Sequence, residues 1–250
     1  MRAHILLVLL MIFPATSIGE EALMPYAFTP DLSDKKALQR GGRTFVNYCL
    51  SCHSATYMRY NRMGEDLEIP DDVLLESFMF GTDKTGDTMN IAMTKDSANQ
   101  YFGIPAPDLS VIARSRGAEW LYNYLMTFYL DPSRPTGVNN LIFKDVAMPH
   151  VLWELQGWQK AVYEEATGVG GVSAKGINHL ELAIQPDEKP EEYRGESYEE
   201  SVGDLVNFMV YMGEPIRLKR YYFGAWVIGY LFLFLIIAYL LKKEYWKDIQ

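Results

Sequence analysis

A 250-residue chain with 32 Asp and Glu against 23 Lys and Arg, a formal net charge of −9, presents a field that repels nucleic acid. Two cysteines in the whole length leave the core, not a disulfide framework, to hold the fold. The acidic excess lies in residues 20–213, where 29 acidic residues face 16 basic ones (−13), a balance that favours a basic protein partner or serves solubility alone.

The N-terminus opens with Arg2, a leucine-rich run over 5–13 too short to span a bilayer, and the small-residue stretch Ser17-Ile18-Gly19. That order is an export signal, expected to be cleaved after Gly19; a buried N-terminal helix is the alternative. Beyond Pro25 and Pro30, Asp31 to Asp34 forms a helix start, and Leu38, Phe45, Val46 and Leu50 predict one long helix, with Gly41-Gly42 as a point of interruption.

Near the C-terminal end of that helix stands "NYCLSCHSATYMRY", which holds both cysteines and, directly behind the second, His53. A zinc site needs four ligands, and the other histidines, His4, His150 and His179, supply no paired motif. A redox dithiol follows a strand in a βαβ unit, and the residues ahead of Cys49 do not read as a strand. Covalent haem attachment remains: two thiols join the porphyrin vinyl groups and the next residue offers an axial imidazole. On a helix, positions i, i+3 and i+4 share a face, so Cys49, Cys52 and His53 would meet one porphyrin. A buried thiol pair beside a surface histidine is the alternative without a cofactor. Attachment of this kind takes place outside the cytoplasm, consistent with the export signal.

Residues 54–107 are rich in loops. Pro70-Asp71-Asp72 opens a helix over 73–80, and 81–99 is polar and irregular. Pro105-Ala106-Pro107-Asp108 ends the loop and caps a helix over 109–116; Gly117 separates it from an aromatic-rich helix over 118–130. A turn cluster at 131–138 leads to Met148-Pro149-His150. The stretch 166–200 is rich in Gly, Glu and Pro, with one strand at 180–184, and 201–212 forms an amphipathic helix. Residues 221–241 carry no charge, about the ~20 residues needed to cross a hydrocarbon core of ~30 Å. Tyr221, Tyr222, Trp226, Tyr245 and Trp246 would mark the two interfaces. Basic residues flank both ends, so the direction rests on the export signal and the haem motif, which put the large domain outside and the tail inside. The expected organisation is a signal over 1–19, an exported domain over 20–213, a linker and membrane anchor over 214–242, and a cytoplasmic tail over 243–250.

A methionine on the far side of the iron suits electron transfer, a second histidine lowers the potential, and an open site permits ligand binding. Met1 and Met11 lie in the signal, Met209 and Met212 lead into the membrane, and Met58 and Met63 follow the motif too closely. Met79 and Met126 sit in apolar helical patterns that favour core packing. Met24, Met89, Met93, Met148, His150 and His179 remain. Met148 is the best placed locally, because Pro149 holds it extended and presents the thioether from a loop.

Four motifs in one order, "CLSCH", "PAPDLSVIARSRG", "VAMPHVLWELQG" and "DLVNFMVYMGEPIRLKR", resemble the cytochrome c1 family, the haem c subunits of ubiquinol-cytochrome c oxidoreductases, in their short bacterial form. The resemblance runs from Asp31 to the C-terminus. It implies a mainly α fold: a single class I-like cytochrome c haem domain with loop insertions, plus one C-terminal transmembrane helix. It implies one covalently bound haem c, with Cys49 and Cys52 as thioether attachments, His53 and Met148 as iron ligands, Arg116 (or Arg114) beside a propionate, and Pro107 in the pocket wall. Ala106 departs from the family's Pro-Pro-Asp-Leu. The implied role is a one-electron relay from a Rieske iron-sulfur protein to cytochrome c, beside cytochrome b in a dimeric complex, with no self-contained active site. The implied location is the bacterial inner membrane, single-pass, with the haem domain periplasmic. Acidic residues in 65–68 and 188–200 would attract a basic acceptor. An independent membrane-anchored cytochrome c feeding an oxidase, a haem sensor or peroxidase with an open distal site, and an assembly scaffold with a redox-inert haem are the competing readings.

Overall fold

The computed structural model describes residues 24–167, 173–186 and 189–247. The export signal expected at 1–19 lies outside the described residues. About half of the described residues are helical, and the strands form three separate two-stranded antiparallel sheets.

Helix α1 (Lys35–Thr44) starts where the Asp34 side chain accepts from the backbone N–H groups of Lys36 and Ala37, satisfying donors that the first turn leaves open. It continues into a π-helical turn, Phe45–Cys49, closed by Leu50 N–H donating to the Phe45 carbonyl at 2.9 Å. Ala37, Leu38, Gly41, Phe45, Val46 and Cys49 are buried along one stripe, the spacing that places one face of a helix against a core.

That stripe crosses the long C-terminal helix of the domain. Gly41 does not interrupt α1; it permits the crossing, because a Cβ there would lie 2.0 Å from the Asp204 carbonyl oxygen. Phe45 and Phe208 meet beside it, with ring centroids 5.5 Å apart.

Strand β1 (Ala55–Arg59) pairs with β2 (Thr88–Met89), and between them lie α2 (Tyr60–Leu67) and α3 (Asp71–Ser77). Helix α4 (Lys95–Phe102) begins inside the stretch expected to be irregular, its N-terminus capped by Thr94. Helix α5 (Ile112–Arg116) is shorter than expected, since Asp108 accepts from Ser110 N–H in a local turn that delays the helix. Helix α6 (Ala118–Met126) also ends early and gives way to β3 (Phe128–Leu130), which pairs with β4 (Val138–Asn140).

After α7 (Trp153–Gln156), the chain departs most from the sequence reading. Strands β5 (Trp158–Thr167) and β6 (Ser173–Ile184) form a long hairpin paired from Trp158↔Ile184 to Thr167↔Ser173, with register shifts after Trp158 and after Val162, where only one short strand was expected. The β5 sequence interleaves Lys160, Glu164 and Glu165 with small and aromatic residues. Its alternation is therefore weak as a strand signal. A buried Gln159 ties the hairpin to the body, donating to the carbonyls of Met126 and Phe128 at 2.9 and 3.0 Å.

Helix α8 (Tyr198–Gly213) starts in a capping box of Ser197 and Glu200 and is buried on nearly every side. Its inward polar residues are partnered: Asp204 accepts from Arg40 at 2.6 Å, and Asn207 accepts from the Asp31 backbone at 3.0 Å. Helix α9 (Arg217–Tyr245) runs for 29 residues, roughly 44 Å. None of its apolar stretch is buried inside the protein, and it is long and apolar enough to cross a membrane.

Candidate haem-attachment site

The Cys-x-x-Cys-His motif sits on a turn that follows the helix. Cys49 ends the π-helical turn, and its carbonyl then accepts from both Cys52 N–H (3.1 Å) and His53 N–H (2.8 Å). Helix-like i, i+3 and i, i+4 closure is thus retained across the motif even though regular helix has stopped. Cys49 is buried and Cys52 half-buried, both as free thiols. Burial, with Cys52 nearby, pushes the Cys49 thiol up to about 12, so in the folded chain it is protonated and a poor nucleophile.

His53 is set by a distant segment. Its Nδ1–H donates to the Pro107 carbonyl at 2.7 Å; a carbonyl only accepts, so the proton is on Nδ1 and the Nε2 lone pair is left for a metal. Burial lowers the His53 pKa, outweighing the Pro107 carbonyl and Asp108 that favour the cation, so the imidazole is neutral at neutral pH.

The Pro107 segment is laced to the motif's downstream strand. Leu109 N–H donates to Ser54 O (2.8 Å), Thr56 N–H to Asp108 Oδ2 (2.9 Å), and Tyr57 N–H to Ser110 Oγ (3.1 Å). For Asp108, desolvation raises the pKa, but hydrogen bonds from Ser110 and Thr56 outweigh it and hold the carboxyl below its ordinary value.

Met148 is held in a different manner, on a segment without regular structure. It is half-buried where the main core, which includes Cys49, meets a smaller cluster of Phe128, Val138 and Val146. The Tyr124 hydroxyl donates to its sulfur at 3.3 Å, and burial raises the Tyr124 pKa, keeping that donor protonated. Two buried asparagines pin the loop ahead of it. Asn140 donates to Tyr124 O (2.7 Å) and accepts from the backbones of Ile142 and Phe143; Asn139 accepts from Asp145 N–H (2.8 Å).

His150, a rival ligand in the sequence, is buried in an aromatic stack. It lies 5.1 Å from Phe128 and edge-on to Trp158, and burial lowers its pKa to about 4. His179 is exposed on the hairpin beside Glu181, and Met89 is buried in the core opposite Ala55. Arg116 is exposed, its guanidinium 5.1 Å from the centre of the Trp120 ring; Trp120 stacks on Tyr124 at 5.1 Å. Arg116, Trp120 and Tyr124, four residues apart, thus form a stack that ends on the Met148 sulfur. Sequence reasoning missed Tyr124, Trp120, Asn139 and Asn140; the pair of asparagines directly after a turn cluster was the signal available.

The donor set fits a c-type haem: two thiols and a neutral imidazole in one turn, and a thioether held by the hydroxyl of a half-buried tyrosine at the edge of the same core. Two cavities, of about 460 and 430 Å³, lie elsewhere and include none of Cys49, Cys52, His53 or Met148 in their walls.

No protein-family model matches the chain. It is 46% identical over 220 residues to a protein of Allochromatium vinosum named cytochrome c1, a match covering 88% of this chain and 87% of that protein. It is 47% identical over 246 residues to a protein of Nitrosomonas europaea named ammonia monooxygenase gamma subunit, covering 98% of this chain and 97% of that one.

Proposed function

The chain belongs to the cytochrome c1 family, and we propose that it is the membrane-anchored haem c subunit of a ubiquinol-cytochrome c oxidoreductase, relaying single electrons from a Rieske iron-sulfur protein to cytochrome c. The observation that carries this reading is the Cys49–His53 turn, with its histidine held neutral by the Pro107 carbonyl. A haem bound there supplies an iron that cycles between the ferric and ferrous states. Cys49 and Cys52 would hold the ring through thioether bonds. His53 would offer its Nε2 lone pair and Met148 its sulfur to the iron. Arg116 is available to a propionate from the end of α5, and Pro107 orients the imidazole. No residue need act as acid or base, since the relay moves an electron and no proton.

The crossing of α1 and α8 beside the motif supports a class I-like cytochrome c domain over 20–213, with α9 as its anchor in the bacterial inner membrane and the domain on the periplasmic side. Cytochrome b and a dimeric complex follow from the family. The Nitrosomonas relative favours a second reading, in which this chain carries electrons within an ammonia-oxidising assembly.

The test is a cofactor inventory of the protein extracted from its membrane in mild detergent. Fixed proportions of b-type haem and a Rieske paramagnetic signal beside c-type haem are expected. Copurification with ammonia-oxidising activity and no Rieske signal would favour the second reading, and c-type haem alone an independent carrier.

A further inference from the structure

The larger cavity has no part in the haem site. It is lined by Tyr57, Arg59, Arg62, Val111, Gly213 and Pro215 among others, about 460 Å³ in volume, within the range of small-ligand sites. Its wall ends at Pro215, two residues before α9 begins at Arg217, so its rim lies within ~7 Å of chain from the first turn of that helix. Tyr221, Tyr222 and Trp226, the aromatic residues that settle at headgroup level, follow within about three turns. The cavity is therefore at the depth of lipid headgroups if α9 spans the membrane, a reading on which this inference rests.

The charge there runs against the rest of the domain. Arg59 donates one N–H to the Gly86 carbonyl, and Arg62 pairs through Nε with Asp66 at 2.5 Å. Each guanidinium has five N–H donors, so both retain further donors. Glu65 also lines the cavity and Asp66 pairs with Arg62, so the two arginines are balanced at the wall itself and the positive excess comes from the helix start beside it. Arg217, Lys219 and Arg220 bring three positive charges at the helix start, and Glu214 offsets one through its pair with Arg220. A domain with a formal charge of −13 thus turns basic at its membrane-facing end. At the mouth, Tyr57 is 79% exposed and Val111 44% exposed, apolar surface suited to the glycerol and first methylenes of an acyl chain.

We propose that this cavity is a binding site for the headgroup of an anionic phospholipid, its phosphate taken by Arg59 and Arg62 and its acyl chains running down beside α9. Basic side chains at a membrane surface recognise anionic lipid in this way.

The assembly, extracted in mild detergent and placed in nanodiscs of phosphatidylcholine with added phosphatidylglycerol, tests the site with a photo-crosslinking residue at Val111. The expected adduct has the mass of phosphatidylglycerol, and the Arg59→Gln, Arg62→Gln double variant should weaken its retention about thirty-fold. A second probe at Tyr57, with both arginines intact, should lose its adduct when phosphatidylglycerol is replaced by phosphatidylcholine. An adduct with phosphatidylcholine at equal yield, an adduct with a peptide of another subunit, or no adduct from protein that still enters nanodiscs overturns the proposal. Failure of the chain to enter nanodiscs overturns the membrane span itself.

Discussion

The two sides of the candidate haem site are built on opposite principles. On the Cys49–His53 side, one backbone carbonyl, that of Cys49, closes the turn over both Cys52 and His53, and a single distant segment, 107–110, is laced alongside. On the Met148 side, the proposed ligand sits on irregular chain. Its placement depends on side chains from α6 and β4: Tyr124, Asn139 and Asn140. The turn that carries the two thiols is closed by its own backbone and His53 is set by one backbone carbonyl, whereas Met148 is exposed to each member of a side-chain network. The first side would also be held by two covalent bonds, the second by none.

The largest effect should come from breaking the first side chemically. Cys49→Ala with Cys52→Ala is expected to abolish covalent haem, read as loss of haem stain on a denaturing gel. Met148→Leu should leave covalent haem in place while abolishing the far-red ferric band and lowering the reduction potential, read by a spectroelectrochemical titration. Equal loss of haem in both variants would erase the contrast.

Network members come next. Asn140→Ala leaves the Tyr124 carbonyl and two loop N–H groups without their partner, a loss of about 1–3 kcal/mol. Denaturant unfolding should show it, with the far-red band weakened well before covalent haem is affected. Tyr124→Phe removes a single hydrogen bond to sulfur, about 0.5–1.5 kcal/mol, and should shift the potential and the band without unfolding the domain.

The smallest effect belongs to Asp108, which steadies the Pro107 segment. Its folded pKa is depressed below 3.8, so its contribution is complete above that value and is lost as pH falls through the lower folded one. Acid unfolding below about pH 4 should be less steep in Asp108→Asn than in the parent chain.

The unequal legibility of the two sides follows from the same physics. Cys49, Cys52 and His53 are contiguous, and their chemistry is written in spacing alone. Pro107 was expected only in the pocket wall, because a bond between residues 54 positions apart leaves no periodic trace. Met148 could be favoured from Pro149, but Tyr124 looked like one aromatic among many, and Asn139 and Asn140 act through backbone groups that no pattern reveals. In the fold, the long apolar helix α9 was plain from its uncharged run. Helix α8 read as amphipathic, yet Asp204 and Asn207 face partners inside the protein, so its polar positions did not mark a solvent face. The long hairpin was hidden by charges on β5 and by the Gly and Glu content beside β6.

The most direct test is near-infrared magnetic circular dichroism of the ferric, membrane-extracted protein, which reports both axial ligands of a low-spin haem iron together. The account predicts a histidine–methionine pair, converted to another ligation in Met148→Leu and unchanged in His150→Phe. A bis-histidine or high-spin signal from the parent protein would contradict it.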